Sequence, residues 1–316
     1  MMRRVCLMAV ALCVLLAGCT RKAPEATPAD ITFTDSLGNT VSLPETPKKV
    51  AVLFSSFAQI WQLAGGEVAV TVGESVERGF ADPETPLVDE GAGKTIDRER
   101  LIGEKPDFII GSADIPAQVA ACEDMAKQGI SVALFRVDDL EGYLSMLKIC
   151  TQITGNQAAY ETYGAAVKNQ ADAVLSAVNE DLAGKKILFV RSGSSYSATK
   201  AKKAPDNFVC TMLSQLGAVN IADSAEILLD GLSLEEIILQ DPDYIFLVAM
   251  GSEAAAKAYI QDLFGEAGWK DLTAVKAGNY TFLDRELFHF KPNHRWAEAY
   301  QTLYDLLYPE SINYGA

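Results

Sequence analysis

Histidine is almost missing from this chain. Only His289 and His294 occur in 316 residues, both inside Leu287-Phe288-His289-Phe290-Lys291-Pro292-Asn293-His294. A closed three- or four-ligand site for bare zinc or manganese usually draws histidines from more than one part of a fold, and the first half has none to offer. Cysteine is scarce where it would matter. Cys6 and Cys13 fall in an N-terminal apolar segment and Cys19 ends it, which leaves Cys122, Cys150 and Cys210. An odd number in apolar contexts reads as small buried core residues, not as a disulfide framework or a metal site. Basic charge is the third shortage. Without Arg3 and Arg4, 25 basic residues face 42 acidic ones, a net charge of about −17, which excludes a nucleic-acid-binding surface. The patterns Gly-x-Ser-x-Gly, Gly-x-Gly-x-x-Gly and Walker A are absent too. The nearest approach to a nucleophile elbow, Arg191-Ser192-Gly193-Ser194-Ser195, has the wrong spacing. A secreted serine hydrolase is therefore the weaker alternative, and an ATPase is excluded.

What is present begins with a targeting segment over residues 1–19. Arg3 and Arg4 form a basic start, and the apolar run Val5 to Leu16 is too short for a comfortable membrane span. Leu16-Ala17-Gly18-Cys19 looks like a bacterial lipobox. That resemblance implies cleavage before Cys19, lipidation of its sulfur, and an extracytoplasmic protein tethered to the membrane. Residues 20–30 are polar and contain Pro24 and Pro28, as a tether would. About 290 mature residues suffice for two domains with real cores.

From Ile31 onward the chain alternates strands and helices. Ile31-Thr32-Phe33-Thr34 and Thr40-Val41-Ser42-Leu43 flank Leu37-Gly38-Asn39 and predict a hairpin. Strands are expected at Val50 to Phe54, Ala69 to Val72, Phe108 to Ile110 and Val132 to Phe135. Later strands are expected at Ile187 to Val190, Val219 to Ile221, Tyr244 to Val248 and Tyr280 to Leu283. Helical stretches lie between most of them, and Gly73 to Pro86 reads as a loop. Such alternation implies mostly parallel sheets flanked by helices.

Two features organise this pattern. The run Asn156 to Leu182 places Tyr160, Tyr163, Val167, Ala171, Val174, Val178 and Leu182 at steps of three or four, the spacing of one buried helix face. It would span roughly 40 Å. On either side the chain repeats itself. Glu99 precedes Pro106-Asp107-Phe108-Ile109 by seven residues, and Glu235 precedes Pro242-Asp243-Tyr244-Ile245 by seven. This echo predicts two similar α/β lobes, 31–155 and 185–316, joined by one long connecting helix over 156–184.

The hairpin, Lys48-Lys49-Val50, the two Glu-x6-Pro-Asp units, the long helix and the ending Leu306-Leu307-Tyr308-Pro309-Glu310 together resemble helical-backbone (class III) substrate-binding proteins of ABC importers, the iron-siderophore, haem and cobalamin group. The resemblance covers essentially the whole mature chain. It implies a monomeric, lipid-anchored receptor that binds a metal chelate between its lobes and docks on a permease dimer with its ATPases, with no catalysis and no cofactor. An iron-siderophore is the expected chelate, ahead of haem or a corrinoid.

Ligands of open parallel sheets bind beyond the carboxyl ends of the strands. This selects Ser55, Ser56, Phe57 and nearby Trp61, then Arg78, Asp114, Arg191, Ser192, Ser194, Tyr196, Met250, Arg285, Phe288 and His289. Arg78, Arg191 and Arg285 suit anionic groups. Phe57, Trp61, Tyr196 and Phe288 suit flat or apolar surface. His289 is a candidate ligand for a haem iron or a chelated metal, and His294 is assigned a structural role. The resemblance further implies that one surface Glu from each lobe meets Arg residues of the permease, and Glu99 and Glu235 match. Glu104 and Glu236 stand near enough to serve instead, and a favourable helix-dipole interaction is an alternative account of both.

Overall fold

The computed structural model describes residues 30–89, 95–178, 183–204 and 206–309. The targeting segment, Cys19 and the tether to residue 29 lie outside the described residues. The hairpin forms as its alternation requires, with β1 (Ile31–Thr34) antiparallel to β2 (Thr40–Leu43) and Phe33 opposite Val41. Asp35 closes the turn by accepting the N–H groups of Leu37 (3.0 Å) and Asn39 (2.9 Å). Its other oxygen accepts the Leu134 N–H at 3.2 Å and pins the hairpin to the first sheet.

That sheet is parallel, in the order β3 (Val50–Val52), β4 (Phe108–Ser112), β5 (Ser131–Phe135). Bridges Ala51–Val70 and Thr71–Leu87 extend its β3 edge. Around it lie α1 (Ser55–Leu63), α2 (Gly73–Glu77), α3 (Arg98–Glu104), α4 (Pro116–Ala126) and α5 (Leu140–Thr154). The short α2 sits in a stretch whose composition predicts a loop.

The connecting helix is α6 (Gln157–Tyr160), a π-helical turn (Glu161–Ala165) and α7 (Ala166–Ser176) in unbroken succession. It is shorter than its periodicity suggests. Twenty residues span about 30 Å, Ala177 ends it, and the continuation at Leu182 lies outside the described residues. The extra residue of the π turn coincides with a side-chain contact, since the buried Tyr143 hydroxyl donates to the Tyr163 carbonyl at 2.7 Å.

Beyond it, β10 (Tyr280–Phe282), β9 (Tyr244–Ala249) and β6 (Lys186–Ser192) run parallel in that order. Two short strands also pair with β6: β7 (Lys200–Ala201) antiparallel and β8 (Val219–Asn220) parallel. The second lobe adds α8 (Phe208–Gln215), α9 (Ile227–Asp230), α10 (Leu234–Gln240), α11 (Glu253–Gly265), α12 (Thr273–Ala277), α13 (Arg285–Phe288) and α14 (Trp296–Leu307). Each lobe is thus a mostly parallel sheet flanked by helices, and one helical connector joins them, as the sequence pattern implies.

The pleat sorts the core. Phe108 and Ile110 of β4, and Ile187 and Phe189 of β6, enter one large cluster. It continues through Val167 and Ala171 of the connector to Trp296, Tyr300 and Leu303 of α14, so the lobes share it. The alternate residues Ile109, and Leu188 with Val190, pack on the opposite faces in two separate clusters. Burying both faces explains why these strands read as continuous apolar runs.

The echo becomes a repeated clasp. Asp107 accepts the N–H groups of Lys48 (2.7 Å) and Lys49 (3.0 Å), and Asp243 accepts that of Lys186 (2.8 Å). Just before each Pro-Asp, Lys105 (φ 51°) and Asp241 (φ 42°) adopt the left-handed conformation that ends α3 and α10. Pro106 and Pro242 cannot continue a helix, so the chain turns there into the strand.

Candidate ligand cleft

Between the lobes, beyond the carboxyl ends of β3, β5, β6 and β9, lies a cleft of about 340 Å³. The first lobe contributes Phe54, Ser56, Val72, Glu74, Ile115 and Asp138. The second contributes Arg191, Phe208, Met250, His289, Phe290 and Lys291, with Asp206 and Asn207 at α8. A larger depression of about 580 Å³ is lined by Gln59, Leu63, Phe80, Asn156 and Tyr163. It carries no charged lining residue and lies away from the strand ends, so the smaller cleft is the candidate site.

The cation of the cleft is Arg191, near the end of β6. Its Nε–H donates to Met250 Sδ at 3.1 Å, and its Nη2 lies 3.3 Å from His289 Nδ1. Among the described residues no carboxylate stands within ion-pair distance of it, and burial pushes its pKa below the usual guanidinium value. A desolvated cation without a carboxylate is primed for an anion from outside the chain. Lys291 adds a second positive charge. Its Nζ lies 3.6 Å from Asp138 of the other lobe and 5.3 Å over the Phe208 ring. Burial lowers the Lys291 pKa while Asp138 opposes that shift, and burial raises the Asp138 pKa.

Arg78 is not a free anion contact. Its Nη1 donates to the hydroxyls of Ser55 (3.1 Å) and Ser56 (3.3 Å), and its Nη2 pairs with Glu286 of the second lobe at 3.2 Å. The guanidinium stacks on Phe290 at 3.8 Å and on Phe80 at 4.7 Å. Its side chain is 8% exposed, and burial lowers its pKa against the pull of Glu286. Arg78 therefore straps the lobes together. Asn293 is a second strap. It is fully buried at φ 53°, and its Nδ2 donates to the Ser56 carbonyl (2.8 Å) and to Gln59 Oε1 (2.7 Å).

Of the residues that the strand-end rule selects, Ser56, Arg191, Met250 and His289 line the cleft. Ser55 is buried behind it, bonded to Glu74 and Arg78. Phe57 and Trp61 are corrections. Helix α1 begins at Ser55, and its positions Phe57, Ile60, Trp61 and Ala64 form one buried face. The indole N–H of Trp61 donates to the Glu67 carbonyl at 2.8 Å, and Gly66 lies so close that a Cβ there would come within 2.1 Å of the ring. Phe288 and Ser192 are buried as well. Asp114 pairs with Arg136 at 2.6 Å, and Arg285 donates to the Gly251 carbonyl at 2.9 Å. Ser194 and Tyr196 are exposed and do not line the cleft. His294 is partly buried edge-on to Tyr163, with ring centroids 6.0 Å apart, and its Nδ1 is buried without a partner.

Lys291, Asp138 and Phe290 escape the sequence reading. A signal for two of them exists. Asp138 closely follows the predicted strand Val132 to Phe135, and Lys291 is a lone cation between Phe290 and Pro292.

The profile of one family, described as periplasmic binding protein, matches residues 50–287. A cobalamin-binding protein of Halobacterium salinarum is 24% identical over 254 residues, covering 76% of this chain and 67% of that protein. Among solved structures, the periplasmic heme-binding protein RhuT from Roseiflexus sp. RS-1 in apo form superposes with a TM-score of 0.66 at 17% identity. The match covers 83% of this chain and 98% of RhuT. Staphylococcus aureus SirA complexed with staphyloferrin B gives 0.64 at 18% identity, covering 88% of this chain and 97% of SirA.

Proposed function

The chain belongs to the periplasmic binding protein family, and we propose that it is the receptor of an ABC importer for an anionic metal chelate, first of all an iron-siderophore. The observation that carries this reading is Arg191, a half-buried cation facing the inter-lobe cleft with no carboxylate within ion-pair distance among the described residues. Lys291 lies along the same wall, and Phe208 and Phe290 supply apolar surface. A ligand carboxylate that meets Arg191 gains about 1.5–3 kcal/mol from a charge-assisted hydrogen bond. Haem or a corrinoid is the second reading, favoured by the cobalamin-binding relative and by Met250 and His289 on either side of Arg191. Among the described residues lining the cleft none resembles an activated nucleophile, and binding without turnover is proposed. The receptor is held at the outer face of the membrane by lipidated Cys19, acts as a monomer, and meets the two halves of a permease through Glu99 and Glu235.

Calorimetric titration with ferric carboxylate siderophores, ferric hydroxamates, haem, cobalamin, iron(III) and zinc tests the ligand class. Saturable one-to-one binding of a ferric carboxylate siderophore, with none of zinc, is expected. Hydrolysis of ester substrates without chelate binding overturns the reading.

A further inference from the structure

The two repeats differ at the cleft but agree on another surface. Helices α3 and α10 occupy equivalent places, with Leu101 and Ile237 fully buried beneath them. The next residue in each, Ile102 and Ile238, is exposed, at 39% and 49%. A single exposed apolar side chain is ordinary. Two at the same position of an internal repeat need a common reason.

Charge supplies it. Ile102 and Ile238 each lie three residues after a Glu, which places Ile and Glu side by side on one helix face. On α3, Arg98 pairs with Asp124, Arg100 with Asp97, and Glu104 with Lys49. Glu99 makes no ion pair among the described residues. On α10, Glu236 accepts Gln240 Nε2 at 2.8 Å, and Glu235 makes no ion pair among the described residues. Glu99 on α3 and Glu235 on α10 thus stand at the same place in the repeat, each without an ion pair among the described residues and each three residues before an exposed Ile. Both helices are also held at matching positions by a lysine, though by different groups: Lys49 pairs with the Glu104 carboxylate at 2.9 Å, and Lys186 donates to the Gln240 backbone carbonyl at 3.0 Å. Leu239 enlarges the second knob, being 76% exposed where the first has Gly103.

We propose that Ile102 and Ile238 are the apolar halves of two equivalent docking knobs, for a two-fold symmetric membrane protein that offers an apolar socket beside a cation at each of two places. This rests on the permease reading above and deepens it. The acids steer the encounter, and the isoleucines slow dissociation.

The test uses the intact lipoprotein in its host. A photo-crosslinking amino acid at position 102 or 238 is expected to capture the same membrane-embedded importer subunit, while one at exposed Val219 or Ile227 captures neither. In parallel, Ile102→Ser with Ile238→Ser is expected to lower uptake of radioiron, presented as a ferric carboxylate siderophore, by about tenfold. Its unfolding midpoint and siderophore affinity should match those of the parent, because both residues are exposed and remote from the cleft. Glu99→Gln with Glu235→Gln is the companion. If the Glu pair abolishes uptake and the Ile pair leaves it normal, docking stands and the apolar knobs are overturned. If both pairs take up iron normally and neither position crosslinks the importer, the docking reading falls and this inference with it.

Discussion

The two lobes repeat their scaffold and not their chemistry. Both hold the start of one strand with the Asp of a Pro-Asp pair, both end the preceding helix on a left-handed residue, and both bury alternate strand residues on opposite faces. Across the cleft the match ends. The second lobe brings Arg191, His289 and Lys291 beside a single acid, Asp206, whereas the first brings only acids among its charged lining residues, Glu74 and Asp138. The first lobe's nearby cations are already committed, Arg78 to Glu286 and Arg136 to Asp114 and Asp138. A repeat therefore preserves what any α/β unit needs to close, and the loops at the strand ends are free to differ. The proposed contacts divide accordingly, with equivalent ones assigned to the outer helices and unequal ones to the ligand.

The largest expected effect separates scaffold from site in the first lobe. Trp61→Ala should cost about 3–5 kcal/mol of unfolding free energy in urea, as for a fully buried aromatic. Trp61→Phe, which keeps most of the volume, should cost less and leave chelate affinity within about twofold. A large affinity loss in Trp61→Phe without destabilisation would return Trp61 to the cleft and erase the contrast between the lobes.

Nearly all regular elements are legible in the sequence because their signals are local. Pro-Asp before an apolar run, Gly-Asn in a turn and three-or-four spacing in α14 each act within a few residues. The site is less legible because strand-end position alone says nothing about direction. Phe57 and Trp61 follow β3 as the rule asks, but α1 starts at once and turns them inward. Their spacing with Ile60 and Ala64 is the helix-core pattern, and it outranks the loop reading. Arg78 looks equivalent to Arg191 on paper. Only the fold shows that Glu286, 208 residues away, already occupies it. The π turn has no local signal of its own, since it coincides with a hydroxyl that Tyr143 delivers from another helix.

Those two arginines give the next sharpest comparison. Arg191→Met should weaken binding of a ferric carboxylate siderophore by about 10–100-fold, with little change in stability, because no protein carboxylate is left unpaired. Arg78→Met should lower unfolding free energy by about 1–2 kcal/mol and change affinity less than about threefold. The loss is moderate because Glu286 is 53% exposed and water can replace its partner. Calorimetry and urea unfolding of both variants check this. Equal affinity losses would mean that the first lobe also supplies an anion contact.

The smallest effect tests a difference hidden inside the repeat. Lys105 and Asp241 hold equivalent left-handed positions, yet only Asp241 caps a further helix. Its carboxylate accepts the Thr273 N–H at 2.9 Å and the Thr273 hydroxyl at 2.6 Å, at the start of α12. Those hydrogen bonds hold its pKa below the usual 3.8. A folded-state pKa below the unfolded one means that the cap contributes fully above about pH 4, where both states are ionised. The contribution is lost as pH falls through the lower folded value, because the folded state must then take up a proton. Asp241→Asn should therefore lower stability at pH 7 by on the order of 0.5–1 kcal/mol, the range for an exposed helix cap. It should also flatten the fall in stability between about pH 4 and pH 2. Lys105→Asn, at the matching place in the first lobe, should leave that acid slope unchanged. Urea unfolding across this pH range decides it, and parallel slopes for Asp241→Asn and the parent would show that the second lobe draws no stability from this cap.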